Sequence, residues 1–140
     1  MEQKYDYTTK QLLYDQAIEQ NKEKIYRVIM GSDTIESKLQ TPPVYIGGKT
    51  RMQSAMGKGF RFPLKGDNAG MSGKVKVSFI IEKNGKTINH KIVAGIGNDF
   101  DEEALRMVKQ IPDNWTPGIL NGEPVNVEYT LTIDFRNFSN

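Results

Sequence analysis

The sequence predicts an α+β fold: a three-stranded antiparallel sheet in the spatial order second-first-third, two helices on one face, and a helical extension in front. Three observations predict it. Residues 74–83, 87–94 and 125–136 read as strands; the first, Ile80 excepted, and the last alternate apolar and polar side chains, the period of half-buried strands. The first two segments flank Asn84-Gly85, a strong short-range hairpin signal. Between the second and third lies an apolar stripe of helical period.

In chain order, residues 1–42 read as an N-terminal extension and residues 43–140 as the domain. Thr8 and Thr9 are candidate helix caps, and Leu12, Leu13, Ala17 and Ile18 follow at rough helical spacing, so residues 9–23 read as a helix. Residues 25–30 are β-branched and aromatic; they either continue that helix or form a short strand. Residues 31–43 are loop-like and close on Thr41-Pro42-Pro43, and Gly47-Gly48 is a further break. Residues 51–58 place Met52, Ala55 and Met56 on one side of a short helix, stopped by Gly57 and Gly59. Residues 65–70 read as a loop.

The first clear strand turns Val75, Val77, Phe79 and Ile81 to one face. A two-residue loop at Asn84-Gly85 sets Ile81 against Ile88, Phe79 against His90, Val77 against Ile92 and Val75 against Ala94. Three of these four partners are apolar, so turn and pattern agree on one register. Asp99 and Glu102 have capping-box spacing, with Asp in place of Ser or Thr. Phe100, Ala104, Leu105, Val108 and Ile111 form the stripe of the following helix, which Pro112 stops. Trp115 reads as an aromatic that caps the core. Asn121-Gly122 is a second tight turn. In the last strand Val125, Val127, Tyr129, Leu131, Ile133 and Phe135 alternate with polar residues over about twelve positions, against a usual five or six.

A helix stripe must cover the apolar face of a sheet. The last strand then lies beside the first, antiparallel to it, and the longest strand falls on an edge. Residues 51–58 pack beside the longer helix, and the other sheet face is polar. A long edge without proline offers backbone groups to an extended partner, which is the geometry of β-augmentation.

Composition narrows the function. The chain has 140 residues, 37% hydrophobic and 26% charged, with a net charge of +2. So small a charge gives no argument for nucleic acid or an anionic membrane surface. The absence of cysteine excludes disulfides, thiolate nucleophiles and cysteine metal sites. No apolar run approaches the roughly 18 residues of a membrane helix, and no signal peptide is visible behind Met1. The single histidine, His90, faces inward and reads as a packed residue. Asp99, Asp101, Glu102 and Glu103 read as complements to a helix dipole rather than as metal ligands. Lys58, Arg61, Lys65, Lys74 and Lys76 make a basic stretch, a solvated surface with charge steering as the alternative. No constellation supports enzymology; neither a cofactor nor a small-molecule substrate is expected.

The run Gly73-Lys-Val-Lys-Val-Ser-Phe-Ile-Ile-Glu-Lys-Asn-Gly85, the helix Asp101-Glu-Glu-Ala-Leu-Arg106 with Val108-Lys109 and Pro112, then Trp115-Thr-Pro-Gly118, Asn121-Gly122 and the last strand resemble the TonB C-terminal domain family, in the form common in Bacteroidetes. Pro43-Val-Tyr-Ile-Gly-Gly48 and Phe60-Arg-Phe-Pro63 resemble the segments that precede its first strand. The resemblance spans residues 43–136. It implies a periplasmic binding module for the TonB box, a short extended segment of outer-membrane receptors. Val125, Asn126, Val127, Glu128, Tyr129, Thr130, Leu131, Thr132 and Ile133 would supply backbone pairing, with Arg61, Phe62 and Pro63 near the contact. Phe62 stands where the family usually has tyrosine, and His90 where it is usually apolar. The resemblance also leads to the expectation of an export signal or membrane anchor in the full gene, the membrane being reached only through that anchor. The alternative is a self-associating structural or accessory domain of a larger or secreted envelope protein with no energy-transducing role, for which a homodimer is the simplest form.

Overall fold

A computed structural model describes residues 23–61 and 73–135. The expected helix at 9–23 falls outside these residues but for Glu23, and the loop at 65–70, Phe62 and Pro63 lie wholly outside them. The described elements are β1 (Ile25–Met30), β2 (Asp33–Lys38), β3 (Val44–Tyr45), α1 (Gly48–Met56), β4 (Lys74–Ile81), β5 (Thr87–Ala94), α2 (Asn98–Lys109), β6 (Trp115–Thr116), β7 (Gly118–Leu120) and β8 (Glu123–Asp134).

The expected α+β class and the three-strand nucleus are present. β8 pairs with β4 antiparallel from Lys74↔Asp134 to Ile81↔Val127 without a shift, and β5 lies on the other side of β4. The sheet is larger than three strands, however. Its order is β2-β1-β8-β4-β5, with β7 also paired to β8, and β3 and β6 form a separate two-stranded ladder. Two segments account for the difference. Residues 25–30, open between helix and strand on sequence, form β1, and the expected loop at 31–43 contains β2. In β1, Tyr26 and Val28 point into a core with Leu39 and Val127, while Ile25 and Arg27 remain exposed. That period of two suits a strand, and Val28 reaches its apolar site only by lying opposite Val127.

The β4–β5 hairpin keeps the expected register at Val77↔Ile92 and departs from it on both sides: Ile88 pairs with Ile80 rather than Ile81, and Ala94 with Lys76 rather than Val75. The loop has three residues rather than two: Glu82 N–H donates to Lys86 O, and Gly85 N–H to Glu82 O, both at 2.8 Å. Asn84 Oδ1 accepts from Lys86 N–H at 3.0 Å, and Gly85 takes φ +86°. This is a tight turn followed by a left-handed residue, a form that Asn-Gly serves as well as the two-residue turn. The slip is absorbed by bulges. Asn89, at φ +57°, is the extra residue between Ile88 and Lys91, and Val93 is another between Ile92 and Ala94. The second turn, Asn121-Gly122, does have two residues, with Leu120↔Glu123 paired across it and φ values of +54° and +80°.

Helix α2 starts earlier than the capping-box reading placed it. Gly97 precedes its first residue, no side chain caps it, and Asp99 lies within the first turn. Asp101 N–H bonds Gly97 O at 2.8 Å, so the turn closes on Gly97. Phe100, Ala104, Val108 and Ile111 are buried as the stripe requires; Met107 joins them, and Leu105 is only partly covered. Helix α1 begins at Gly48 and ends at Met56, so it is displaced toward the N-terminus of the expected 51–58. It packs through Met52 and Met56 on the same core. Gln110 ties the two helices: its Nε2 donates to the carbonyls of Ala55, Met56 and Lys58 at 2.9, 2.9 and 2.8 Å. Trp115 is buried, as its reading as a core aromatic expected. Its ring lies 5.2 Å from Tyr45, 5.8 Å from Phe79 and 5.0 Å from Tyr129. His90 stacks on Phe79 at 5.3 Å, and burial, aided by Lys109 against an opposing Asp113, holds its pKa below the ordinary value.

Candidate protein-interaction edge

Strand β8 is long because both of its patterns persist. Odd positions enter the core: Val127, Ile133 and the following Phe135 are buried, and Tyr129 and Leu131 pack against it. Even positions face outward, with Thr130 and Thr132 exposed. Burial of a side chain such as Val127 stabilises by roughly 1.5–3 kcal/mol, which fixes the register.

The expectation that the whole of residues 125–135 forms a sheet edge is corrected. Val125 pairs with Gly118 of β7. On the side away from β4, Asn126, Val127 and Glu128 pair with Ile29, Val28 and Arg27 of β1. Asn126 Oδ1 also accepts from Lys83 N–H at 2.9 Å, and Glu128 Oε1 lies 3.6 Å from Arg27 Nε. Residues 125–128 are therefore engaged. The β1–β8 ladder then stops. From Tyr129 to Asp134, no strand among the described residues pairs with β8 on that side. The ladder to β4 behind this stretch is regular: Tyr129↔Phe79, Thr130↔Ser78, Leu131↔Val77, Thr132↔Lys76 and Ile133↔Val75.

Where β1 leaves β8, a cleft of about 200 Å³ opens between residues 24–27 and 128–130. The Tyr26 and Tyr129 rings stack at 6.5 Å across it, and Lys24 Nζ lies 5.2 and 5.7 Å from their centroids. Burial, with Tyr129 adding to it, pushes the Tyr26 pKa up to about 12, and burial also raises that of Tyr129. Both phenols stay protonated across the physiological range. Sequence reasoning missed Lys24, Tyr26 and Arg27. The alternation of Tyr26 and Val28 was the available signal, but six residues adjoining a helical pattern do not decide it.

Arg61 lies toward the opposite end of β8. The ring of Phe60 stacks 6.1 Å from Phe135, and Arg61 N–H donates to Glu103 Oε2 at 3.0 Å. Burial resists ionisation of Glu103, but hydrogen bonds from Arg106 and from the Arg61 backbone outweigh it and hold the carboxyl below its usual pKa. Among the described residues, no cluster of three or more His, Cys, Asp or Glu could hold a metal ion, and no helix is long and apolar enough to cross a membrane.

Fold and edge together define a small α+β domain built around one long central strand that is half open. Residues 58–137 match the family model described as Gram-negative bacterial TonB protein C-terminal, a span of more than half the chain. The chain belongs to this family, whose domains are periplasmic, bind outer-membrane receptors and serve TonB-dependent transport. Neither the curated proteins nor the solved structures gave a match.

Proposed function

We propose that this domain works in the periplasm as a TonB-like module that captures an extended TonB-box segment of an outer-membrane receptor. The segment adds to β8 as a further strand. The observation that carries the reading is the stretch from Tyr129 to Asp134, backed by a regular ladder and unpaired in front among the described residues. At about 3.4 Å per residue it has room for a segment of about six residues. Val125–Glu128 are removed from the contact set suggested by sequence, since β7 and β1 already hold them. Tyr129, Thr130, Leu131, Thr132 and Ile133 remain. Arg61 is retained at the other end of the strand; Phe62 and Pro63 lie outside the described residues and stay as the sequence suggested them.

The alternative, self-association through sheet edges, has less support. The terminal strand β2 carries Asp33, Glu36 and Lys38, and the terminal strand β5 carries bulges at Asn89 and Val93. Charges and bulges both blunt an edge against pairing.

The test is calorimetric titration with TonB-box peptides, repeated with peptides N-methylated at alternate residues and with Thr130→Pro. N-methylation removes backbone donors from the ligand and leaves the domain untouched. Binding lost on N-methylation of one set of alternate positions but not the other is the expected result. Binding indifferent to both sets, or no binding together with a concentration-dependent dimer, would overturn it.

A further inference from the structure

The β1–β8 cleft lies where an added strand must end, because beyond Glu128 the edge is taken by β1. The cleft is bordered by Lys24 and Arg27 against one carboxylate, Glu128. Lys24 is held over the Tyr26 and Tyr129 rings and pairs with no carboxylate among the described residues. Arg27 also borders the cleft, but it projects to the other face of β1, where Glu128 Oε1 lies 3.6 Å from its Nε. Tyr26, only 3% exposed, lines the cleft too, and its hydroxyl is buried with no hydrogen-bond partner among the described residues.

We propose that this cleft is a subsite for an acidic side chain of the strand that adds to β8. The proposal rests on the receptor-capture reading and supplies its selectivity. A carboxylate at the end of the added strand meets an ammonium already oriented by two ring faces. A lysine or arginine there meets the Lys24 ammonium and is repelled. An amide of the same shape gains neither charge interaction. The residues responsible, Lys24 to Arg27, precede the matched span 58–137. The selectivity is therefore a property of this chain's N-terminal hairpin rather than of the shared domain.

The experiment uses synthetic TonB-box peptides of about eight residues, identical except for Glu, Gln or Lys at one end. A second set carries the change at the other end, which covers both directions of strand addition. Each is titrated into the wild type, Lys24→Met and Lys24→Glu. Lys24 is exposed, so both variants should fold, and circular dichroism checks this. For the end that reaches the cleft, wild type should prefer Glu over Gln by about three-fold and disfavour Lys. Lys24→Met should erase the preference and Lys24→Glu should reverse it, both effects shrinking as salt is added. Equal affinities for all peptides in all three proteins would overturn the subsite and leave edge pairing standing. Failure of every peptide to bind would overturn the capture reading and the subsite with it.

Discussion

At the scale of single residues, two glycines in similar backbone conformations separate strain from crowding. Gly85 and Gly122 have φ of +86° and +80°. A Cβ on Gly85 would meet Trp115 O at 2.5 Å, whereas one on Gly122 meets nothing within 4 Å. Gly122→Ala should cost about 1 kcal/mol in urea denaturation, the conformational term alone. Gly85→Ala should cost about 2–3 kcal/mol, since the Trp115 carbonyl must also move. Equal costs would mean that this carbonyl yields freely. Glu103 makes a second residue-scale prediction. It accepts from Arg106 Nε and Nη2 at 2.9 and 2.6 Å and from Arg61 N–H at 3.0 Å. Its folded pKa lies below the usual 4.5, so its contribution is complete above that value and is lost as pH falls through the depressed one. The Arg61 amide resonance should therefore move with an inflection below pH 4.5. Glu103→Gln should abolish the inflection.

At the scale of elements, the β1–β8 ladder decides how much of β8 is open. It comprises three residue pairs and is pinned by Val28, which is fully buried against Val127. Val28→Ala should cost about 2 kcal/mol. Its local signature should be faster hydrogen exchange at residues 25–30 and 126–128, with β4 amides unchanged. Uniform acceleration across the sheet would instead mean that β1 and the three-strand nucleus unfold together. The terminal strands differ in kind. β5 is protected by irregularity, because its Asn89 and Val93 bulges interrupt the ladder. β2 is regular in its pairing with β1 and relies on charge. Replacing Asp33, Glu36 and Lys38 together by valine should therefore produce concentration-dependent association in sedimentation velocity. Persistent monomers would show that β2 is protected by something other than its charges.

At the scale of the whole molecule, the sheet is asymmetric about β8. On one side stands the nucleus of β4 and β5, carrying both helices and the larger aromatic core. On the other, the β1–β2 hairpin carries a small core of its own, joined to the first through Tyr129. The open stretch of β8 lies past the end of that hairpin. On the proposed reading, different parts of the chain would set the length and the end of an added segment: the nucleus backs β8 with a regular ladder, and β1 closes the edge at Glu128. The β1–β2 hairpin that closes this edge lies ahead of the matched residues 58–137.

The sequence by itself determined the nucleus. Alternation in residues 74–83 and 125–136, the Asn-Gly turns that precede 87–94 and open the last strand, and the Phe100–Ile111 stripe are local patterns. They fixed the three-strand order and the inward faces, and the family followed from the same residues. Only the tertiary structure decided how much of β8 is an edge. Residues 25–30 are too short to declare a period, and β2 is polar enough to read as loop. They become strands because Tyr26 and Val28 find Val127 about a hundred residues away. The loop of three residues at Lys83-Asn84-Gly85 was likewise decided from outside, where Gly85 packs under the carbonyl of Trp115. A pattern within one segment records which face is buried; which side of a strand is already paired depends on what else the folded chain brings to it.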